Sequence, residues 1–295
     1  LDGFLVPRAD AHQGEYVAPH DERLAWLTGF TGSAGFCAVL AKNAGVFIDG
    51  RYRTQVKAQV ADVFTPVPWP ETSLADWLKD TLPDAGKVGF NPWLHTVNQI
   101  KQSTEALVGS GIALCPCENL VDRIWPDQPA PPMNPVKPQP LEYAGERHGD
   151  KIARLAASLK DKGCKADVIT LPDSIMWLLN IRGSDIPRNP VAHGFAVLHE
   201  DARVDFFVHE DKRGNIADHL GPAVRLMDPD RFLAHIATLD GPGLLDAGSA
   251  PVAVEQTLQN AKIEIVPGDD PCALPKARKN ATEIAGSAEA HLRDA

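Results

Sequence analysis

The sequence predicts an α/β protein made of two copies of one domain in tandem. Three observations carry this. The octet Trp26-Leu27-Thr28-Gly29-Phe30-Thr31-Gly32-Ser33 returns 151 positions later as Trp177-Leu178-Leu179-Asn180-Ile181-Arg182-Gly183-Ser184, with tryptophan, leucine, glycine and serine in register. Each octet is followed by a matching hairpin pattern. Gly35-Phe36, Ala38-Val39-Leu40, a polar turn and Val46-Phe47-Ile48 answer to Gly194-Phe195, Ala196-Val197-Leu198, a polar turn and Val204 with Phe206-Phe207-Val208. Apolar runs of strand length alternate with segments of helical spacing, the pattern of an α/β fold. A chain of 295 residues suits two domains of ordinary size.

Gly3 to Val6 reads as the opening strand of the first copy. Phe36–Leu40 and Val46–Ile48 flank the turn Lys42-Asn43-Ala44-Gly45 and read as a β-hairpin. Leu74, Trp77, Leu78 and Leu82 keep helical spacing, as do Val97, Ile100, Thr104, Leu107 and Val108. Lys87–Phe90 and Ile112–Cys115 follow these helices as short apolar runs, predicted to be buried strands. Seven of the fifteen residues from Pro126 to Pro140 are proline, which excludes helix and central strand and predicts an extended, semi-rigid connector.

The second copy opens with a helix lined by Ile152, Leu155, Ala156 and Leu159 and closed by Gly163. Val168–Leu171 is the next predicted strand, followed by a short helix to Asn180, the hairpin, and a helix carrying Phe232, Leu233, Ile236 and Leu239. Asp185 to Val191 is an insertion absent from the first copy, and its prolines predict a stiff exposed loop where function tends to be added. Asn280 and Glu283 have capping-box spacing, and helical spacing then runs to Ala295. The expected domains are 1–126 and 143–275, with a linker over 127–142 and the start of a further helix at 276–295. The chain opens inside a strand and closes in mid-helix, so further protein is expected at both ends.

A net charge of −10 argues against a nucleic-acid groove binder, which needs surplus Lys and Arg to neutralise phosphates. No apolar run approaches the roughly 20 residues of a membrane span. Five scattered cysteines (Cys37, Cys115, Cys117, Cys164 and Cys272) are too few for a disulfide framework. They suggest a reducing, cytoplasmic setting, with Cys115 and Cys117 read as small half-buried side chains.

Hydrolase and phosphate-loop motifs are absent from the sequence, as is any paired C-x-x-C. His12 and His20 lie near Glu15, Asp21 and Glu22, but the spacing fits no recurrent metal-ligand pattern and reads as a hydrogen-bonded surface loop. His193, His199 and His209 flank the second hairpin and read as solvent-facing or satisfied polar groups. Asp167, Asp173 and Asp185 surround the second octet. Asp173 is read as a helix cap and Asp185 as the start of a turn. In Phe47-Ile48-Asp49-Gly50-Arg51-Tyr52, Arg51 emerges at the carboxyl end of a strand, where α/β domains present ligand contacts. Its planar fork suits a peptide carboxylate or carbonyl. An ion pair with Asp49 or a glutamate that closes the turn is the alternative.

These residues resemble the N-terminal half of long, three-domain aminopeptidase P, the Xaa-Pro aminopeptidases. The matching stretches are Asp10–Tyr16, Gly29–Gly35, Asp49–Tyr52, Glu118–Trp125, Trp177–Asp185 with Asn189-Pro190-Val191, and Lys279-Asn280 running on to Ala290–Ala295. The resemblance implies two tandem creatinase-type N-terminal domains, each a mixed β-sheet flanked by α-helices. It also implies a third, catalytic domain, outside this chain, that holds two divalent metals, typically manganese, through two Asp, two Glu and one His. No such ligand is carried over here, so this chain alone is expected to bind no metal and to be inactive. Arg51 is carried over, as the arginine that contacts the peptide substrate, a peptide with proline second. Homodimerisation, largely through the third domain, is implied as well. Two other readings stay open: a non-catalytic peptide- or protein-interaction module, and prolidase or creatinase chemistry. The latter relatives usually carry one such domain rather than two.

Overall fold

The structure, a computed structural model, describes residues 1–82 and 84–295. Its contacts divide the chain into Leu1–Pro131 with Pro251–Ala253, and Pro132–Ala250 with Val254–Ala295.

The first unit contains strands β1 (Gly3–Pro7), β2 (Gly35–Leu40), β3 (Ala44–Ile48), β4 (Thr65–Pro68), β5 (Gly86–Phe90) and β6 (Ile112–Pro116). Its helices are α1 (Arg23–Thr28), α2 (Gln55–Gln59), α3 (Leu74–Thr81) and α4 (Val97–Ala106). The sheet runs β4-β3-β2-β1-β5-β6. β1–β2 and β2–β3 are antiparallel, and the other pairs are parallel. Period-two alternation sends side chains to opposite faces. Leu5, Ala38, Phe47, Val88 and Phe90 pack with Leu78 of α3 and Leu107 just after α4. Phe4, Val6, Cys37, Val46 and Ile48 pack on the other face with Leu24 of α1, Val56 of α2 and Trp125. Coverage of both faces explains why β3 is buried along its whole length.

In the second unit the strands are β7 (Lys137–Pro138), β8 (Ala166–Ile169), β9 (Ile181–Arg182), β10 (Phe195–His199), β11 (Val204–Phe207), β12 (Val224–Met227), β13 (Gly243–Leu245) and β14 (Ile265–Pro267). The remaining helices are α5 (Leu141–Ala144), α6 (His148–Asp161), α7 (Pro172–Leu179), α8 (Ile216–Leu220), α9 (Phe232–Ile236), α10 (Val252–Asn260), α11 (Ala273–Ala277) and α12 (Ala281–Asp294). The sheet order is β12-β11-β10-β8-β13-β14. β8–β10 and β10–β11 are antiparallel, and β11–β12, β8–β13 and β13–β14 are parallel. Strand for strand this repeats the first sheet, so the duplication read from the octets is a duplication of topology.

The repeat extends to backbone detail. The first octet turns at Gly29 with φ 79° and the second at Asn180 with φ 48°, both left-handed residues that end a helix. Gly35 opens β2 and Gly194 directly precedes β10, and a Cβ on either would lie 2.7 Å from a carbonyl oxygen, that of Phe47 or of Phe207.

Several expectations are corrected. Ala44 and Gly45 belong to β3, so the first hairpin turn is shorter than predicted. β6 is an edge strand with only Ile112 buried, because nothing pairs with its outer side. Thr104 and Val108 face solvent although they keep the helical spacing. The strand after α6 spans Ala166–Ile169 rather than 168–171. The residue capping α7 is Leu171, not Asp173, whose carboxylate instead pairs with Lys276. The proline-rich segment stays outside both large sheets but is not plain connector: Lys137–Pro138 pairs with Ile181–Arg182, and the Val136 amide donates to the Lys212 carbonyl (2.8 Å). The Asp185–Val191 insertion is exposed at Pro187, Arg188 and Pro190 but anchored by buried Asp185, Ile186 and Val191.

Candidate functional site

Arg51 follows β3 directly. Asp49 caps the 3₁₀ turn Gly50–Tyr52 by accepting from the Arg51 backbone N–H (2.9 Å). The same carboxylate accepts from Arg51 Nε (3.0 Å to Oδ2) and Nη2 (2.6 Å). Both sequence readings of Arg51 therefore meet in one geometry. The guanidinium closes the turn, yet 68 % of the side chain stays exposed. A guanidinium has five N–H donors, and the pair uses one edge of the fork, so donors remain for a ligand. The hydrogen bond from Arg51 holds the Asp49 carboxyl below its usual range, and the carboxylate raises the guanidinium in turn. The pair stays charged across physiological pH.

The surrounding residues come from the quoted motifs. The Arg51 guanidinium carbon lies 5.2 Å from the Tyr52 ring centroid. Tyr52 Oη shares a 2.5 Å hydrogen bond with Ser33 Oγ, and its ring meets Phe30 edge-on at 5.5 Å. Arg8 Nη1 donates to the carbonyls of Ser33 (3.1 Å) and Glu15 (2.8 Å). Three separate stretches, Asp10–Tyr16, Gly29–Gly35 and Asp49–Tyr52, thus converge at the end of β3. Arg8 is the organising residue that sequence reasoning missed. A lone basic residue after a strand carries no signal of its own.

Other candidates have structural partners. His20 Nδ1 lies 2.6 Å from the Pro129 carbonyl oxygen. Asp21 accepts from Arg23 Nη1 (2.8 Å), and Arg23 grips Asp122 through Nε (2.6 Å) and Nη2 (3.2 Å). Burial nonetheless raises the Asp21 carboxyl, against the pull of Arg23. Asn119 Oδ1 accepts from the Val121 amide (2.9 Å), and Trp125 stacks on Trp26 at 5.3 Å. The stretch Glu118–Trp125 is therefore a clamp on α1. The His12 amide donates to Asp10 Oδ1 (2.8 Å). Cys115 and Cys117 are half-buried free thiols.

In the second unit Asp185 is not a plain turn residue. It is 3 % exposed, accepts from the amides of His193 (2.7 Å) and Asn134 (3.2 Å), and forms a buried ion pair with Lys212. Asp167 is buried in β8, and burial pushes its carboxyl well above the usual range. His209 Nδ1 accepts from the Asp211 amide (3.3 Å). His199 bonds Asp205, a partner that was not among the sequence candidates. Among the described residues no set of two aspartates, two glutamates and one histidine converges. No helix among them is long and apolar enough to cross a membrane.

Comparisons with known proteins agree with this architecture. The Creatinase/Prolidase N-terminal domain family matches residues 1–124 and again residues 127–283. The whole chain aligns with Aminopeptidase P1 of Arabidopsis thaliana at 33 % identity and with a probable Xaa-Pro aminopeptidase P of Aspergillus niger at 35 %, covering 50 % of each. X-prolyl aminopeptidase from Caenorhabditis elegans, described as a cytosolic enzyme with a di-nuclear active site, superposes with a TM-score of 0.91 and 28 % identity. That match covers all of this chain and 50 % of the nematode chain. The chain spans about half the length of these relatives. With the same strand order twice over and a family match on each half, the chain belongs to the creatinase/prolidase N-terminal domain family, carried as two tandem domains.

Proposed function

We propose that this chain is the N-terminal, non-catalytic portion of a metal-dependent Xaa-Pro aminopeptidase, which releases the residue preceding proline from a peptide's N-terminus. The end-to-end alignment with Xaa-Pro aminopeptidases carries the reading. The domain limits at 126/127 and 142/143, and the assignment of 276–295 to the start of a third domain, belong to the same proposal. So do a cytoplasmic location, homodimerisation and the identity of the metal as manganese. Two divalent ions in the rest of the protein would supply Lewis acidity and an activated water. The residues of this chain bind and orient the peptide.

An Xaa-Pro bond is a tertiary amide with no N–H to donate. Recognition near that bond therefore relies on donors that reach carbonyl or carboxylate oxygens. Arg51 supplies them. Its fork is preset by Asp49, which lowers the entropy lost when a peptide is gripped, and Tyr52, Ser33 and Arg8 fix the loop that carries it. Arg51→Ala in the full-length enzyme is expected to lower kcat/KM for a Xaa-Pro-Pro peptide by about 10- to 100-fold, the value of one charge-assisted contact. Metal content should stay unchanged. Parent-like kinetics would reduce Arg51 to a turn residue.

A further inference from the structure

We infer that His199, Asp205 and His235 form a site for one divalent transition-metal ion of the zinc class. Two strands and a helix converge to make it. His199 closes β10, Asp205 lies in β11 opposite Val197, and alternation therefore sets His199 and Asp205 on one face of the hairpin. α9 lies over that face and contributes His235. His199 Nε2 stands 2.8 Å and His235 Nε2 2.9 Å from the same oxygen, Asp205 Oδ2. The two imidazole centroids are 6.4 Å apart with their planes at 87°. In a tetrahedral zinc site, Zn–N and Zn–O distances of about 2.0–2.2 Å put neighbouring ligand atoms roughly 3.3 Å apart. Opening the trio by about half an ångström would admit the ion. A ring that binds the ion through Nε2 would carry its proton on Nδ1.

The other carboxylate oxygen is already engaged. Arg225 Nε donates to Asp205 Oδ1 (2.6 Å), leaving Oδ2 as a single ligand atom. A hydrogen bond to the non-ligating oxygen is the usual outer-shell support of a metal-bound carboxylate. The trio opens onto a cleft of ≈ 350 Å³ that the pairs Lys165–Glu200 and Arg203–Asp201, with Asp240, also line. Water can fill the remaining coordination position there.

The duplication shows that the fold does not require these polar groups. Phe195 corresponds to Phe36 and Phe207 to Phe47 in the two hairpin registers. His199 therefore stands where the first unit has Leu40, and Asp205 where it has Gly45. α3 and α9 hold equivalent places in the chain order. Trp77 of α3 meets Phe47 at 5.6 Å, as His235 of α9 meets Phe207 at 5.3 Å. The first unit closes this spot with apolar side chains, whereas the second places an aspartate there at 1 % exposure between two histidines. Burying such groups costs free energy unless they are paired or bind an ion. The expectation that this chain holds no metal of its own is what the proposal replaces.

The test uses the 295-residue chain carrying Cys115→Ser and Cys117→Ser, stripped with a chelator and titrated calorimetrically with Zn²⁺. Saturation at one ion per chain, a visible d–d band of tetrahedral type with Co²⁺ and a rise in Tm with Zn²⁺ are expected. His199→Leu and His235→Leu should each weaken binding at least about tenfold, since even outer-shell partners are worth about 10- to 100-fold. His235→Gln, which keeps a polar partner for Asp205, should do the same without loss of fold. Absence of saturable zinc binding, or parent-like binding in a folded chain carrying His235→Gln or both His199→Leu and His235→Leu, overturns the proposal.

Discussion

Lys151 is 1 % exposed within α6. Its ammonium donates to the Trp177 carbonyl (2.9 Å) and to Asn180 Oδ1 (2.8 Å) and lies 4.3 Å from the Trp177 ring centroid. Burial pushes its pKa down to about 8 from 10.5. Between those values the unfolded chain binds more protons than the folded one, so stability rises as pH climbs from about 8 to 10.5 and this contribution is flat below 8. Urea unfolding across that range should show the rise, and Lys151→Met should flatten it. An unchanged slope in the variant would assign the effect elsewhere. None of this was legible in sequence, where Lys151 sits beside Ile152 as an ordinary polar neighbour of an apolar stripe. The place of Arg51 after a strand was legible because its motif names the strand's end. The meeting of Asp205 and His235 was not, because they stand 30 positions apart and a strand and a helix come together only in the fold.

At the scale of elements, the two hairpins were readable because alternation and equal spacing recur after both octets. Their closeness to the following strand was not. Gly35 and Gly194 stand where a Cβ would press a carbonyl at 2.7 Å. Gly35→Ala and Gly194→Ala are each expected to lower stability by about 1–3 kcal/mol through overpacking. Gly149, exposed at the start of α6 with nothing within 4 Å of its notional Cβ, is the control: Gly149→Ala should be neutral or stabilise by about 0.4–1 kcal/mol. Equal denaturation midpoints for all three would show that the carbonyl contact yields freely. The misreadings share one cause. Thr104, Val108 and the run Ile112–Cys115 obey the right periodicity, but periodicity does not tell an inner strand from an edge or where a helix's covered face stops. Asp185 looked like a turn former because its partner, Lys212, is 27 residues away.

For the whole molecule, the two sheets predict a pattern of protection. Amides of the interior strands β1, β2, β3 and β5, and of β8, β10, β11 and β13, pair on both sides and should exchange most slowly. Those of β4, β6, β12 and β14 should exchange faster. Hydrogen exchange read by mass spectrometry tests this, and equal protection of β6 and β1 would contradict the strand order. The tandem organisation was visible in the sequence because both octets kept tryptophan, glycine and serine in place. What the copies had individually acquired, the Arg51 loop in one and the His–Asp–His trio in the other, depended on contacts between segments that no repeat pattern marks.

The grip of Arg23 on Asp122 has a consequence for how the chain is made. Asp21 and Arg23 emerge from the ribosome early, while the second carboxylate of their network lies 99 residues downstream of the arginine. Until that stretch is translated, Arg23 has only Asp21 of this pair of carboxylates and Trp26 has no ring to rest on. Domains fold as units during vectorial synthesis. The nascent first domain therefore stays unlatched through most of its own translation and locks only when its final segment arrives.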